Sequence, residues 1–236
     1  MKYYIFRNST IEILFENLNA SFSDYGNILS IDLNADIFVW FYTVPLNMER
    51  KFLILALESY FNSIQLVQKL IPDTKTFLIF TLQDPFRAKP YIADFSVDRA
   101  VNYFNSQIID FASKYNNIKI IDFTDFTKDY SQEQLMDWKY YFLSRMPFNP
   151  RLSNPFQEWF SRQIEAINMK RKKCLILDLD NTLWGGVLGE DGIENVKIGG
   201  DYPGNAFTLF QQKLLDLSRT GVILAICSKN NEDDVL

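Results

Sequence analysis

The chain has 236 residues, 47% of them hydrophobic and 22% charged, and 24 basic against 29 acidic residues give a net charge of −5. That is enough apolar material for one large or two ordinary cores, and the mildly acidic balance gives no reason to expect a nucleic acid or an anionic membrane as partner. The absence of histidine excludes a Ser-His-Asp relay, and two cysteines make no disulfide framework.

No apolar run is long enough to span a bilayer, and the opening Met1-Lys-Tyr-Tyr-Ile-Phe6 passes at once into Arg7-Asn8, so no membrane span and no signal peptide is expected. A reducing, cytoplasmic setting fits.

In chain order, Tyr3–Phe6 reads as a strand and Thr10–Asn19 as a helix. Ser9 and Glu12 have capping-box spacing at its start. Residues Asn27–Leu33 and Ile37–Tyr42 read as strands turning at Asn34-Ala35-Asp36. Glu49–Leu70 is a long amphipathic helix stopped by Pro72. Thr76–Leu82 is a strand, Val97–Tyr115 a helix and Ile118–Phe123 a strand. This alternation predicts an α/β fold, a doubly wound, mostly parallel sheet with helices on both faces, over residues 1–150. The aromatic cluster Trp138-Lys-Tyr140-Tyr141-Phe142 reads as packing.

Composition then changes. Pro147, Pro150 and Pro155 punctuate one stretch, and eight of the nine glycines lie from Gly185 onward. Asn154-Pro155 reads as an N-cap with Pro at the first helical position, and Phe156, Trp159, Phe160, Ile164 and Ile167 give the helix one apolar face. This linker helix, 151–170, ends in the basic run Lys170–Lys173, where the helix dipole favours cations. The second domain is 171–236.

That domain opens with an apolar strand, Lys173-Cys-Leu-Ile-Leu-Asp178, which runs into Leu179-Asp180-Asn181-Thr182-Leu183-Trp184-Gly185-Gly186. Two carboxylates two residues apart share one side of an extended segment. They sit at the carboxyl end of a hydrophobic strand, where open α/β sheets bind ligands. Two like charges so close point to a divalent cation or a phosphoryl-transfer site. Asx-turn chemistry alone is the plain alternative. A calcium EF-hand loop is excluded, because Leu183 stands where its Gly belongs and Gly189 where its closing Glu belongs.

LILDLDNTLWGG resembles the first motif of haloacid dehalogenase (HAD) superfamily phosphatases. The continuation Val187–Gly192, Ile198-Gly-Gly-Asp-Tyr-Pro-Gly204 and Cys227-Ser-Lys-Asn-Asn231 is similar to the FkbH-like group of subclass IIIC. The resemblance covers about the last third of the chain. It implies a HAD Rossmann-like fold in which Asp178 is the nucleophile that forms an aspartyl phosphate and Asp180 the general acid/base. It further implies Mg²⁺ held by the Asp178 carboxylate, the Asp180 backbone carbonyl and waters. Thr182 would orient the Asp loop through its hydroxyl and Ser228 would bind a phosphoryl oxygen. Asn181, Gly185 and Lys229 are the further phosphate-binding candidates. The family's own Lys and a further metal-binding Asp lie downstream of the second motif. The chain ends in what reads as a young helix, Asn231–Leu236, so a fragment, weakly active or inactive, is expected.

The same resemblance implies an SGNH-hydrolase-like first domain, with Arg7-Asn8-Ser9-Thr10 in the nucleophile's place and Gln83-Asp84 at a third block. Without histidine, Ser9 is read as a helix cap rather than a nucleophile. Cys174 begins its strand and Cys227 ends the next. Parallel pairing would put them on the order of 10 Å apart at about 3.3 Å per residue, too far for a disulfide. Cys174 is expected to be a buried structural thiol.

Three functions follow: a Mg²⁺-dependent phosphatase with an open site under a short flap, acting on a large or carrier-bound phosphorylated substrate; an FkbH-like transferase loading an acyl carrier protein through a reactive thiol; or a non-enzymatic docking module with an incomplete HAD portion.

Overall fold

The computed structural model describes residues 1–45, 50–85, 95–168 and 173–230. Two compact units divide the chain, Met1–Asn168 and Met169–Leu236.

The first unit is built on a five-stranded parallel sheet. Its strands are β1 (Tyr3–Arg7), β2 (Ala20–Phe22), β3 (Ile37–Phe41), β4 (Thr76–Phe80) and β5 (Ile118–Ile121), in spatial order β2-β1-β3-β4-β5. Sequences such as Ile37-Phe-Val-Trp-Phe41 are apolar at every position because both faces are covered. Alternate residues enter two cores. Tyr4, Phe6, Phe38, Trp40, Phe77 and Ile79 pack with α1 (Arg50–Leu70) and α2 (Ser96–Ala112). Tyr3, Ile5, Val39, Phe41, Leu78 and Phe80 pack on the other side with the Glu12–Phe15 3-10 turn and a later helix, Ser153–Ile167. Between β5 and that helix lie the short α3 (Thr124–Thr127), α4 (Gln132–Leu135) and α5 (Trp138–Ser144), so Ser153–Ile167 is α6.

The helix expected at 151–170 is thus α6. Its apolar face, Phe156, Trp159, Phe160 and Ile164, lies inside the first unit's core. The Asn-Pro signal operates one turn earlier than expected. Asn149 accepts from the Arg151 N–H ahead of Pro150, and α6 already begins at Ser153 rather than after an Asn154 cap.

Two expected elements change. Thr10–Asn19 is no helix beyond the single 3-10 turn Glu12–Phe15, because the chain must return at once to pair Ala20–Phe22 beside β1. Asn27–Leu33 is an irregular loop rather than a strand. Asn27 accepts the Leu29 N–H at 2.9 Å, Asp32 accepts the Asn34 N–H at 3.0 Å, and the Tyr4 hydroxyl donates to the Ser30 carbonyl. These side chains offer the backbone an alternative to a ladder. Glu49, the run Lys170–Lys172 and the helix expected at Asn231–Leu236 lie outside the described residues.

The second unit has two parallel strands, β6 (Cys174–Leu177) and β7 (Ile223–Ile226), in register from Cys174↔Ile223 to Leu177↔Ile226. The segment between them carries the one-turn α7 (Leu188–Asp191) and the crossover helix α8 (Gly204–Arg219), anchored by buried Leu214. Cys174 and Cys227 stand at opposite ends of the strands, as expected, but Cys174 is exposed and not a buried thiol. Its side of the ladder, with Ile176 and Ile223, is open in this unit. Among the described residues no helix is long and apolar enough to cross a membrane.

Candidate active site

The carboxyl end of β6 carries the two acids. Leu177 and Leu179 are buried and bracket Asp178, which is exposed and accepts the Leu179 N–H through Oδ1 at 2.8 Å. The chain then turns tightly, with the N–H groups of Thr182 and Leu183 both donating to the Leu179 carbonyl, at 3.1 and 2.8 Å. Asn181 takes a left-handed conformation, φ 53°, which Asn tolerates better than most residues. Its backbone N–H donates to the Gly186 carbonyl and its Oδ1 accepts the Gly186 N–H at 2.9 Å. That exchange closes the loop that presents the acids.

Beyond the loop, Gly185 and Lys197 exchange backbone hydrogen bonds of 3.0 and 2.8 Å, which fold residues 185–197 into a flap. Gly185 lets the Phe207 ring come close, since a Cβ there would stand 2.8 Å from it. Gln211 of α8 donates to the Leu183 carbonyl at 2.7 Å and holds the flap's base to the crossover helix.

Asp180 occupies the centre. Its Oδ1 accepts the Trp184 indole N–H and the Leu188 backbone N–H, each at 3.1 Å, and its Oδ2 accepts the Asn230 side-chain amide at 3.0 Å. The Leu188 N–H, the largest effect, holds this carboxyl below the usual aspartate range against desolvation, with the Asn230 and Trp184 donors adding to it. The Asn230 bond brings the loop after β7 onto the loop after β6. In that second loop Ser228 Oγ accepts the Asn230 N–H at 3.2 Å, an ST-turn, and Lys229 is exposed.

Asp178, Asp180 and the 228–230 loop therefore meet at one end of the strand pair. The other expected site residues take different parts. Thr182 ties the Asp loop through its backbone, and its hydroxyl makes no hydrogen bond among the described residues. The Gly185 N–H is committed to Lys197 and not open to a phosphate. Asn181 Oδ1 is engaged within its own loop. Sequence reasoning passed over Trp184, Leu188 and Asn230 as donors to Asp180, although all three lie inside the motifs that drew attention.

Of the first unit's candidate positions, Asn8 and Ser9 are closed in by hydrogen bonds, while Gln83 and Asp84 line a cavity of about 320 Å³. The order β2-β1-β3-β4-β5 puts the topological switch, the usual ligand crevice, between the carboxyl ends of β1 and β3. Asn8 fills it. Its Nδ2 donates to the Thr43 carbonyl at 2.7 Å and to the Tyr60 hydroxyl at 3.0 Å, while its Oδ1 accepts the Thr43 N–H at 3.0 Å. Ser9 is 7% exposed, and its Oγ lies 3.3 Å from Thr43 Oγ1. Ser9 caps no helix: the 3-10 turn follows Ile11 with no side-chain cap, and Glu12 pairs instead with Arg7 at 2.5 Å. The Arg7 guanidinium also lies over the Tyr25 ring, 4.3 Å from its centroid. Thr10 Oγ1 is 2.7 Å from the Tyr25 hydroxyl. The Gln83 amide is held by the Thr124 and Thr127 hydroxyls at 2.6 and 2.8 Å.

No protein-family model matches the chain, and no curated protein does. Among solved structures it is similar to the N-terminal part of a Bacteroides fragilis protein, a part that contains a phosphatase domain and was crystallised in complex with Mg. The TM-score is 0.78 at 22% sequence identity, over 99% of this chain and 70% of that one, a likeness of fold that spans both units.

Proposed function

We propose that the second unit is a Mg²⁺-dependent phosphoryl-transfer centre of the HAD type, closest in motif to the FkbH-like group, and that it works as a phosphatase. The observation that carries this reading is the pair of acids at the carboxyl end of β6, one exposed and one held by three donors, with the Ser228–Asn230 loop hydrogen-bonded across to them. The fold it shares with a phosphatase-containing, Mg-bound protein supports the same reading.

In this reading an Asp178 carboxylate oxygen attacks the phosphorus of a phosphate monoester. The ester P–O bond breaks as the leaving oxygen takes a proton from Asp180. Water then gives a proton to Asp180 while its oxygen bonds to phosphorus, and the Asp178–phosphorus bond breaks. The Ser228 hydroxyl is placed to bind a phosphoryl oxygen. Asp178 offers Mg²⁺ a hard, exposed carboxylate oxygen at the strand end. Mg²⁺ commonly takes one or two carboxylates and keeps several waters. Asp178 and the Asp180 carbonyl would hold it, and when bound it supplies charge neutralisation on the phosphoryl oxygens.

The cap between the Asp loop and α8, residues 183–204 with the 185–197 flap in it, is short, so the substrate class is large or carrier-bound phosphate esters. Acyl transfer through Cys174 is less well served by the geometry, since four residues of strand separate it from Asp178, about 13 Å at ~3.3 Å each. For the first unit the five-stranded order and the Asn8–Ser9 segment support an SGNH-like relationship without hydrolase chemistry.

The test is Mg²⁺-dependent hydrolysis of p-nitrophenyl phosphate together with Mg²⁺-dependent binding of beryllofluoride, an acyl-phosphate mimic. Asp178→Asn is expected to abolish both. Turnover unchanged in that variant would remove Asp178 as the nucleophile.

A further inference from the structure

Asp180 is held by more of the protein than a loop carboxylate needs for folding. Its three donors come from three separate places: the Trp184 indole at the start of the flap, the Leu188 N–H at the start of α7, and the Asn230 amide in the loop after β7. Two donors converge on Oδ1 and one on Oδ2, so neither rotation about Cβ–Cγ nor a change of rotamer is possible without breaking at least one bond. Among the described residues, the Asn230 bond is the one side-chain hydrogen bond between the Asp178–Thr182 loop and the 228–230 loop. Ser228 fixes Asn230 in turn by accepting its backbone N–H at 3.2 Å. The candidate phosphate-binding hydroxyl, the amide and the candidate acid/base carboxylate thus form one chain of contacts.

We propose that Asn230 and Trp184 are positioning residues: they set the direction of the Asp180 carboxylate relative to Asp178, and Asn230 links that direction to the loop that carries Ser228. The proposal rests on the phosphatase reading. Neither residue touches the reacting atoms in it. Each acts through Asp180, on the step in which the leaving oxygen takes the Asp180 proton as the ester P–O bond breaks.

That step gives the proposal a signature that a loss of general structure does not share. A basic leaving group, such as phenoxide, needs the proton as the bond breaks. A weakly basic one, such as 2,4-dinitrophenoxide, leaves without it. Misplacement of a catalytic group by about 1 Å can cost on the order of 10²-fold. Asn230→Ala and Trp184→Phe are therefore expected to lower kcat/KM for phenyl phosphate by roughly 10- to 100-fold. The same variants should lower kcat/KM for 2,4-dinitrophenyl phosphate by no more than about 3-fold, since kcat/KM covers only the steps through loss of the leaving group. Asn230→Asp keeps the shape and replaces the donor by an acceptor, so it should show the same selective loss and guards against a packing defect in the alanine variant.

A second readout needs no turnover. The protein has 4 tryptophans, and Trp184→Phe identifies the Trp184 indole N–H in an amide proton–nitrogen spectrum. Asn230→Ala and Asp180→Asn should each move that one signal and leave the other indoles in place. An equal loss on both esters, no loss on either, or an unmoved Trp184 signal would overturn the positioning role. Absence of both Mg²⁺-dependent turnover and Mg²⁺-dependent beryllofluoride binding in the unsubstituted chain, or full turnover in Asp178→Asn, would instead overturn the phosphatase reading, and the catalytic role of the junction with it, whatever the indole signal does.

Discussion

Replacing Asn8 by Ala should destabilise the first unit more than any other single change at the end of its sheet. The side chain makes three hydrogen bonds, at 2.7, 3.0 and 3.0 Å, to both backbone groups of Thr43 and to the Tyr60 hydroxyl. Thr43 is only 5% exposed, so its N–H and carbonyl lose their partners without ready replacement by water. A net hydrogen bond is worth about 0.5–1.5 kcal/mol, and a buried group left unpaired costs ~1–3 kcal/mol. Truncation should therefore cost roughly 2–5 kcal/mol by these figures. In a unit of this size each kcal/mol moves Tm by about 2–4 °C, so a fall of ~4–20 °C is expected. Asn8→Asp should be at least as harmful, because a carboxylate oxygen would then face the Thr43 carbonyl across the 2.7 Å now bridged by an amide proton. Ser9→Ala is the contrast: its one contact is 3.3 Å from Thr43 Oγ1, and its loss should cost under about 1 kcal/mol and leave phosphatase turnover unchanged. Urea denaturation followed by far-ultraviolet circular dichroism measures all three. An Asn8→Ala variant within ~0.5 kcal/mol of the parent would refute the claim that this amide closes the crevice.

Other outcomes follow from the packing and the titration of the same units. Gly204→Ala would place a Cβ 2.8 Å from the Ile198 carbonyl carbon and 3.1 Å from the Gly199 nitrogen, backbone atoms that cannot swing aside; a loss of about 1–3 kcal/mol in the second unit is expected in thermal denaturation. Phe156→Ala removes a fully buried ring that packs against Phe15, Phe126 and Phe160, and should cost ~3–5 kcal/mol in the first unit by denaturant titration. Burial raises the Tyr42 and Tyr60 hydroxyls above the usual 10.0, so the folded chain keeps protons that the unfolded chain releases. Stability should therefore fall as pH rises above about 10, and Tyr42→Phe should flatten that fall in a pH series of unfolding curves.

Much of this was legible in the sequence because parallel strands buried on both faces announce themselves as apolar runs. Tyr3–Phe6 and Ile37–Phe41 have little other possible home, and long amphipathic helices such as Arg50–Leu70 carry their own period. The misread stretches were short and polar, where local and tertiary demands compete. Thr10–Asn19 has a helical pattern, but the return to β2 leaves room for one turn. In Asn27–Leu33 the apolar residues alternate as in a strand, yet Leu29 is 85% exposed, and Asn27 and Asp32 fold the backbone onto their own side chains. At the acid pair, strand-end placement was readable from two-residue spacing. The donors to Asp180 were not, because indole, backbone N–H and amide come from three loops whose meeting depends on the flap and on the β6–β7 register.

Both units end their strands with polar residues, and the kind of residue separates a closed sheet end from a reactive one. In the first, Asn8, Ser9 and Thr43 are neutral and small, and the amide matches both groups of the Thr43 peptide. The Asn8 amide and the Thr43 peptide N–H all meet acceptors of the protein itself, so a ligand would have to replace bonds that are already made. In the second, Asp178 brings a carboxylate to the strand end and leaves it exposed, with one short-range bond to the next backbone N–H. A carboxylate has about four acceptor sites. The unfilled ones face solvent, where a hard cation or a phosphorus atom can reach them. Asp180 differs again, its two oxygens turned to neutral donors that hold direction without supplying a counter-charge. A carboxyl group left accessible beside one locked in place is, on the phosphatase reading proposed above, the physical ground for placing the chemistry in the second unit and not the first.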